Sequence, residues 1–207
     1  MKNKIFNFIK SLLFILLGLV LIDYFGVILG AIILFILTIL WFLIPNKVER
    51  TIIKLKKELP ISQIRDIQNG LVKIKGTIQA IDPLISEIKK KECIAYSYKT
   101  EKSRYTRSGG VGKSRTTFST LSNNVFCNPF LIKDQTGEIT VSCEDLEIRS
   151  WSKPKSNREA NKRYTEQRLK NNKEVIIIGK TIDTDNGKQI VVDPEKKVFV
   201  LYDVPHS

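Results

Sequence analysis

From residue 11 to residue 44 the chain runs almost without charge, SLLFILLGLVLIDYFGVILGAIILFILTILWFLI, with Asp23 the only ionisable acid or base in it. A membrane span takes about 20 apolar residues at 1.5 Å rise each, so one continuous helix here would measure roughly 51 Å against a hydrocarbon core about 30 Å thick. The pattern predicts two spans, about 5–22 and 27–44, broken at Asp23-Tyr24-Phe25-Gly26, where a costly carboxylate, an interfacial aromatic pair and a turn-forming glycine coincide. A cleaved signal peptide is the competing reading, but a small-x-small cleavage site is missing and a second apolar run follows at once. Lys2, Lys4 and Lys10 cluster at the start of the first span and Lys47, Arg50, Lys54, Lys56 and Lys57 follow the second, which by the positive-inside rule expects an integral inner-membrane protein with both termini and its main domain in the cytoplasm.

Beyond this hairpin (residues 1–46) the apolar positions become periodic. Val48, Ile52, Leu55 and Leu59 recur at helical spacing among lysines, giving a basic amphipathic helix over 47–60 that ends at Pro60 and lies either on the bilayer surface or on the domain. From residue 71 the period is two. Val72, Ile74, Gly76 and Ile78 alternate with polar residues, as do Ile94, Tyr96 and Tyr98. Val125–Lys133 leads through Asp134-Gln135-Thr136-Gly137 into Glu138–Cys143, Glu174–Asp183 leads through Asp185-Asn186-Gly187 into Lys188–Val192, and Val198–Tyr202 makes a last strand. Strands this short and numerous favour a small β-barrel, OB-like, or a sandwich over residues 61–207. One surface helix is expected among them, from Ser156 with Glu159 as a capping box to Leu169. Gly76 and Gly179 sit within apolar strand runs and mark a bend or a close backbone approach.

Charge adds candidate surfaces. The chain carries a formal +13. Lys99, Lys102, Arg104, Arg107, Lys113 and Arg115 stand against Glu101 alone, around Ser108-Gly109-Gly110-Val111-Gly112, which reads as a mobile basic hairpin tip and a candidate electrostatic contact surface for anionic lipid headgroups. A second basic stretch runs from Arg149 to Lys173. Gly110-Val111-Gly112-Lys113-Ser114 imitates part of a phosphate-binding loop, but Arg107 stands where the first glycine belongs and Thr116-Thr117-Phe118 favours a strand over the required helix, so a nucleotide is not expected. Cys93, Cys127 and Cys143 cannot all pair within one chain and have no metal-type spacing, so they read as buried reduced thiols. With His206 the only histidine, neither a histidine-centred catalytic relay nor a metal centre is expected, and the sequence offers no catalytic, cofactor-binding or metal-ligating residue.

Val72–Ile78, Asp82-Pro83-Leu84, Glu92–Tyr96, Phe130–Ile139, Tyr164–Leu169 and Ile176–Gly179, in this order after an apolar N-terminus, resemble the GIDE or BAM ("beside a membrane") domain. In eukaryotic members that domain sits in a ubiquitin ligase whose RING performs the ligase function. This sequence lacks the cysteines and histidine of a RING, so the resemblance implies a stand-alone member of prokaryotic type and not ligase activity. The expected function is a membrane-anchored, non-catalytic interaction or scaffold module without a cofactor, meeting anionic lipid or a protein partner. An OB-like nucleic-acid binder, using Tyr96, Tyr98 and Tyr105 as stacking rings, is the alternative, although Tyr96 and Tyr98 share a face with Ile94 and read as core.

Overall fold

The computed structural model describes residues 47–107, 114–185 and 187–204, together with Asp23, Gly26, Leu29, Ile32, Ile33, Phe35, Ile36 and Leu37. The chain divides into two compact units, Met1–Arg50 and Thr51–Ser207. Among the described residues no helix is long and apolar enough to cross a membrane. That finding stands against the two-span hairpin and the inner-membrane placement built on it, and most of residues 5–44 lie outside the described residues. The expectation rested on hydropathy, which gives the apolar content of a run and not the length of helix it forms.

Among the described residues α1 (Lys47–Glu58), which enters the larger unit at Thr51, precedes thirteen strands. Five of these close a ring. β1 (Gly70–Ala80) pairs antiparallel with β6 (Phe130–Lys133), β6 with β7 (Glu138–Val141), β7 parallel with β12 (Gly187–Val191), β12 antiparallel with β11 (Lys173–Thr184), and β11 antiparallel with β1. This is a small closed barrel of OB type, a solution that leaves its strands no free edge. Its interior is filled by Ile74, Ile78, Phe130, Ile132, Val141, Val175, Ile177 and Ile190, all fully buried.

β11 reads Val175-Ile176-Ile177-Ile178 without alternation because both of its faces are covered. Val175 and Ile177 point into the barrel, while Ile176 and Ile178 pack with Ile52 and Leu55 of α1 and with Val198, Val200 and Tyr202. From Thr51 on, the helix therefore packs its buried residues on the barrel. Lys73 Nζ donates to the carbonyls of Lys56 at 2.7 Å and Leu59 at 3.2 Å, which satisfies acceptors that a helix C-terminus leaves open. The two glycines carry out the predicted close approaches. A Cβ on Gly76 would strike the Lys133 carbonyl oxygen and stand 2.9 Å from Ile132 Cγ1, and one on Gly179 would stand 2.7 Å from Ile190 Cγ2 and 2.8 Å from Phe199 Cδ2.

Two long insertions interrupt the ring. Between β1 and β6 come β2 (Leu84–Ile85), β3 (Glu92–Cys93), β4 (Ala95–Arg107) and β5 (Ser114–Cys127), and between β7 and β11 come β8 (Glu147–Ile148), β9 (Lys155–Glu159) and β10 (Lys162–Leu169). The last strand, β13 (Val200–Asp203), pairs with β11 and β8. Parts of both insertions meet in a second sheet ordered β5-β4-β10-β9, here called the arm. The helix expected over Ser156–Leu169 is thus a β-hairpin, turning at Ala160 with φ +49°. The segment 162–169 has helical propensity, but eight consecutive residues of it pair with β4, and that ladder overrides propensity. The expected strand Val125–Lys133 is likewise two strands, separated at Asn128-Pro129, where proline lacks a ladder donor.

Candidate functional site

Tethered at one end to the barrel, the arm places most of the predicted basic residues. The stretch Lys99–Arg115 is strand as far as Arg107 and again from Ser114, while Lys113 and the central glycines lie outside the described residues, as do the side chains of Arg107 and Arg115. No phosphate-type loop-to-helix transition occurs, since Ser114 opens a strand. The register divides the remaining cations between two faces. Lys99, Glu101 and Arg163 share one face, where the Glu101 carboxylate is 2.7 Å from Lys99 Nζ and 2.7 Å from Arg163. The hydrogen bond from Lys99, helped by Arg163, holds the Glu101 carboxyl below its usual range despite burial. Arg163 also stacks on Phe118, 3.8 Å from the ring centroid, with Arg158 at 5.7 Å. On this face charge is spent on holding the sheet together.

The opposite face differs. Lys102 lies across from Lys162, and Tyr98 across from Glu166, which in turn faces Lys155. Lys102, Lys155 and Lys162 are exposed and make no ion pair among the described residues, and Arg104 is exposed one step further out. Glu159 is the acidic neighbour at this end, opposite Lys162. Inward from Lys102 and Lys162, and level with Lys155, two aromatic pairs stack, Tyr98 on Tyr164 at 6.0 Å and Tyr96 on Phe126 at 4.8 Å. Burial pushes the Tyr96 and Tyr98 hydroxyls up, so both remain neutral donors. A basic face with an aromatic floor can bind phosphate or carboxylate groups carried on a flat or apolar body.

The inner end of this face is covered by the segment joining β2 to β3. Its Ile88 N–H donates to Glu166 Oε2 at 2.5 Å. Beneath it Glu166 and Arg168 are buried with Arg168 Nε 3.9 Å from Glu166 Oε1, and neither of those atoms nor the buried Ser86 Oγ has a hydrogen-bond partner. Cys93, fully buried alongside, has its thiol pushed up to about 11 by burial, with Arg168 pulling down and Glu166 pushing up. A thiol in that state is no nucleophile.

Two depressions elsewhere are accounted for structurally. One of about 520 Å³ is lined by Lys75, Thr77, Lys133, Asp134, Gln135 and Glu174. Its charges neutralise each other, Lys75 with Glu174 at 3.2 Å and Lys133 with Glu138 at 2.7 Å. Asp134 accepts from Thr136 N and Oγ1, Gly137 N and Ile64 N, so burial that would raise its carboxyl is outweighed and the group sits below its ordinary value. The other, about 570 Å³, lies at the root of β5 and is rimmed by Glu144, Asp145 and Glu147 with Val125, Trp151 and the cysteines Cys127 and Cys143.

Those two cysteines form a disulfide with Cα atoms 5.8 Å apart, which corrects the reading of three reduced thiols and leaves Cys93 alone free. Their separation in sequence carried no signature, because pairing follows from where β5 ends and β7 ends, and only the fold sets that. Also missed in the sequence were the buried Glu166 and Arg168, which looked like surface charges on a helix. Compared with known proteins, the chain matches no protein-family model, no curated protein and no solved structure, so the resemblance to the GIDE domain gains no support there.

Proposed function

We propose that this chain is a non-catalytic binding module whose arm receives an anionic, phosphate-bearing partner on the face carrying Lys102, Lys155 and Lys162. The observation that carries the reading is the asymmetry of the arm, with charges neutralised around Glu101 on one face and the exposed Lys102, Lys155 and Lys162 left without ion pairs among the described residues on the other, where only the buried Glu166 and Arg168 approach each other. A solvated basic surface would have no need to segregate its cations this way. The binding energy is electrostatic and additive, about 1 kcal/mol for each Lys held near an anionic surface, or roughly fivefold in affinity.

The test uses the full chain with Lys102→Glu and Lys162→Glu, measured by co-sedimentation with vesicles containing phosphatidylserine. Each reversal should weaken binding by about fivefold or more, and added salt should weaken it further because exposed charges are screened over about 10 Å at 0.1 M. Binding that ignores both salt and these lysines would refute the reading. A second reading, single-stranded nucleic acid as the phosphate source, is favoured by the stacked Tyr98 and Tyr164 beside the cations on an OB-type barrel. Tyr98→Ala separates the two, since it should weaken binding of a single-stranded oligonucleotide and leave vesicle binding unchanged.

A further inference from the structure

Sheet edges are ordinarily shortened, charged or covered, because unpaired N–H and C=O groups invite a further strand. In this chain β8 has two residues, and β9, the far edge of the arm, carries Lys155, Arg158 and Glu159 in five. Among the described residues the near edge, β5, is neither short nor covered, and its one irregularity is a register shift at Leu121, which leaves Ser122 opposite Thr100 and Thr120 opposite Glu101. It is 14 residues long, ends the sheet order, and reads Thr-Thr-Phe-Ser-Thr-Leu-Ser-Asn-Asn-Val-Phe-Cys from Thr116 to Cys127 without one charge or proline. Leu121, Val125 and Phe126 on it are exposed by 55%, 56% and 43%.

We propose that β5 is a self-pairing edge, and that two copies of this chain associate by laying their β5 strands antiparallel about a two-fold axis near Leu121-Ser122. A neutral strand suits a second copy of itself, since Thr, Ser and Asn then face their own kind and no like charges are opposed across the junction. Charge at the two ends of the arm agrees with that direction. Antiparallel pairing brings Thr117 of one copy beside Phe126 of the other. Arg104 lies across from Thr117, and the acidic rim of Glu144 and Asp145 shares a depression with Val125 and Cys127. The basic outer end of each arm thus meets the acidic root of its mate, twice in each dimer. Twelve residues at 3.4 Å rise by about 10 Å of width bury roughly 400 Å² per copy, about half of what a stable interface takes, so the dimer is weak and depends on concentration.

The test uses the full chain, and because Arg104 also lies on the lysine face it is read by oligomeric state alone, which Lys102→Glu and Lys162→Glu should leave unchanged. Asn123→Cys, near the axis, should crosslink between copies with a short bismaleimide, and Asn157→Cys on β9 should not. In sedimentation, Arg104→Glu and Glu144→Lys should each raise the dimer dissociation constant by about tenfold, and the double reversal should restore it to within about threefold. Asn123→Lys should abolish the dimer while leaving the melting temperature unchanged. A monomer at every concentration, crosslinking as strong at Asn157→Cys, a dimer indifferent to Asn123→Lys, or a double reversal no better than its parents would each overturn the proposal.

Discussion

Replacing Gly76 by alanine adds one methyl group against the end of β6. The new Cβ would overlap the Lys133 carbonyl oxygen and lie 2.9 Å from Ile132 Cγ1. Ile132 is fully buried and the carbonyl belongs to the barrel backbone, so neither can swing away as the end of a flexible side chain could. Forcing a methyl group into a packed core costs about 1–3 kcal/mol, and the smaller entropy of an unfolded alanine returns about 0.4–1 kcal/mol of that. The net loss expected is about 1–2 kcal/mol, or roughly 2–8 °C of melting temperature in a chain of this size. Gly137 supplies the control, because a Cβ there would meet only Ile64 Cγ2 at 3.4 Å, an ordinary contact. Urea unfolding of Gly76→Ala and Gly137→Ala, followed by circular dichroism, gives both values. If the two variants unfold at the same urea concentration, the close approach of β1 to β6 does not limit the barrel.

Reduction of the Cys127–Cys143 bridge, whose residues are 16 apart in sequence, should lower stability by about 3 kcal/mol, and a melting temperature unmoved by reductant would show that the link constrains nothing. Asp134 gives a pH dependence of definite sign. Its folded pKa is depressed, so its contribution is fully present above the unfolded value of about 3.9 and is lost as pH falls through the folded one. Asp134→Asn should therefore be less stable than the parent at pH 7 and lose less stability on acidification below pH 4; parallel stability profiles for the two proteins would contradict the hydrogen-bonded carboxylate.

Where apolar and polar residues alternated, the strands were legible. β1 and the β11–β12 hairpin follow directly from Val72–Ile78 and from Asp185-Asn186-Gly187. The hairpin β9–β10 was not, because its buried positions are held by Glu166 and Arg168, whose charge conceals a period of two. Ser156 and Glu159, spaced like a capping box, instead lie on an edge strand, with Ser156 Oγ 2.9 Å from Thr165 Oγ1. The basic stretch was found, but its division into two faces was not, since the register that puts Lys99 with Glu101 and Lys102 with Lys162 comes from pairing over long separations. Barrel topology was legible only as a class: short strands call for closure, but which strands close it depends on β1 reaching β11.

That reach has a consequence in time. Gly76 pairs with Val175, so during synthesis the finished β1 must wait for about 100 further residues before its ladder to β11 can form. At about 5–20 residues per second the wait is roughly 5–20 s, far longer than the microseconds in which the β4–β5 hairpin can zip locally. For that interval β1 displays Val72 and Ile74 without their partners on β11, while β4 and β5 of the arm are already made. The ribosome therefore delivers the β4–β5 hairpin, with its open edge, before the core that will carry it.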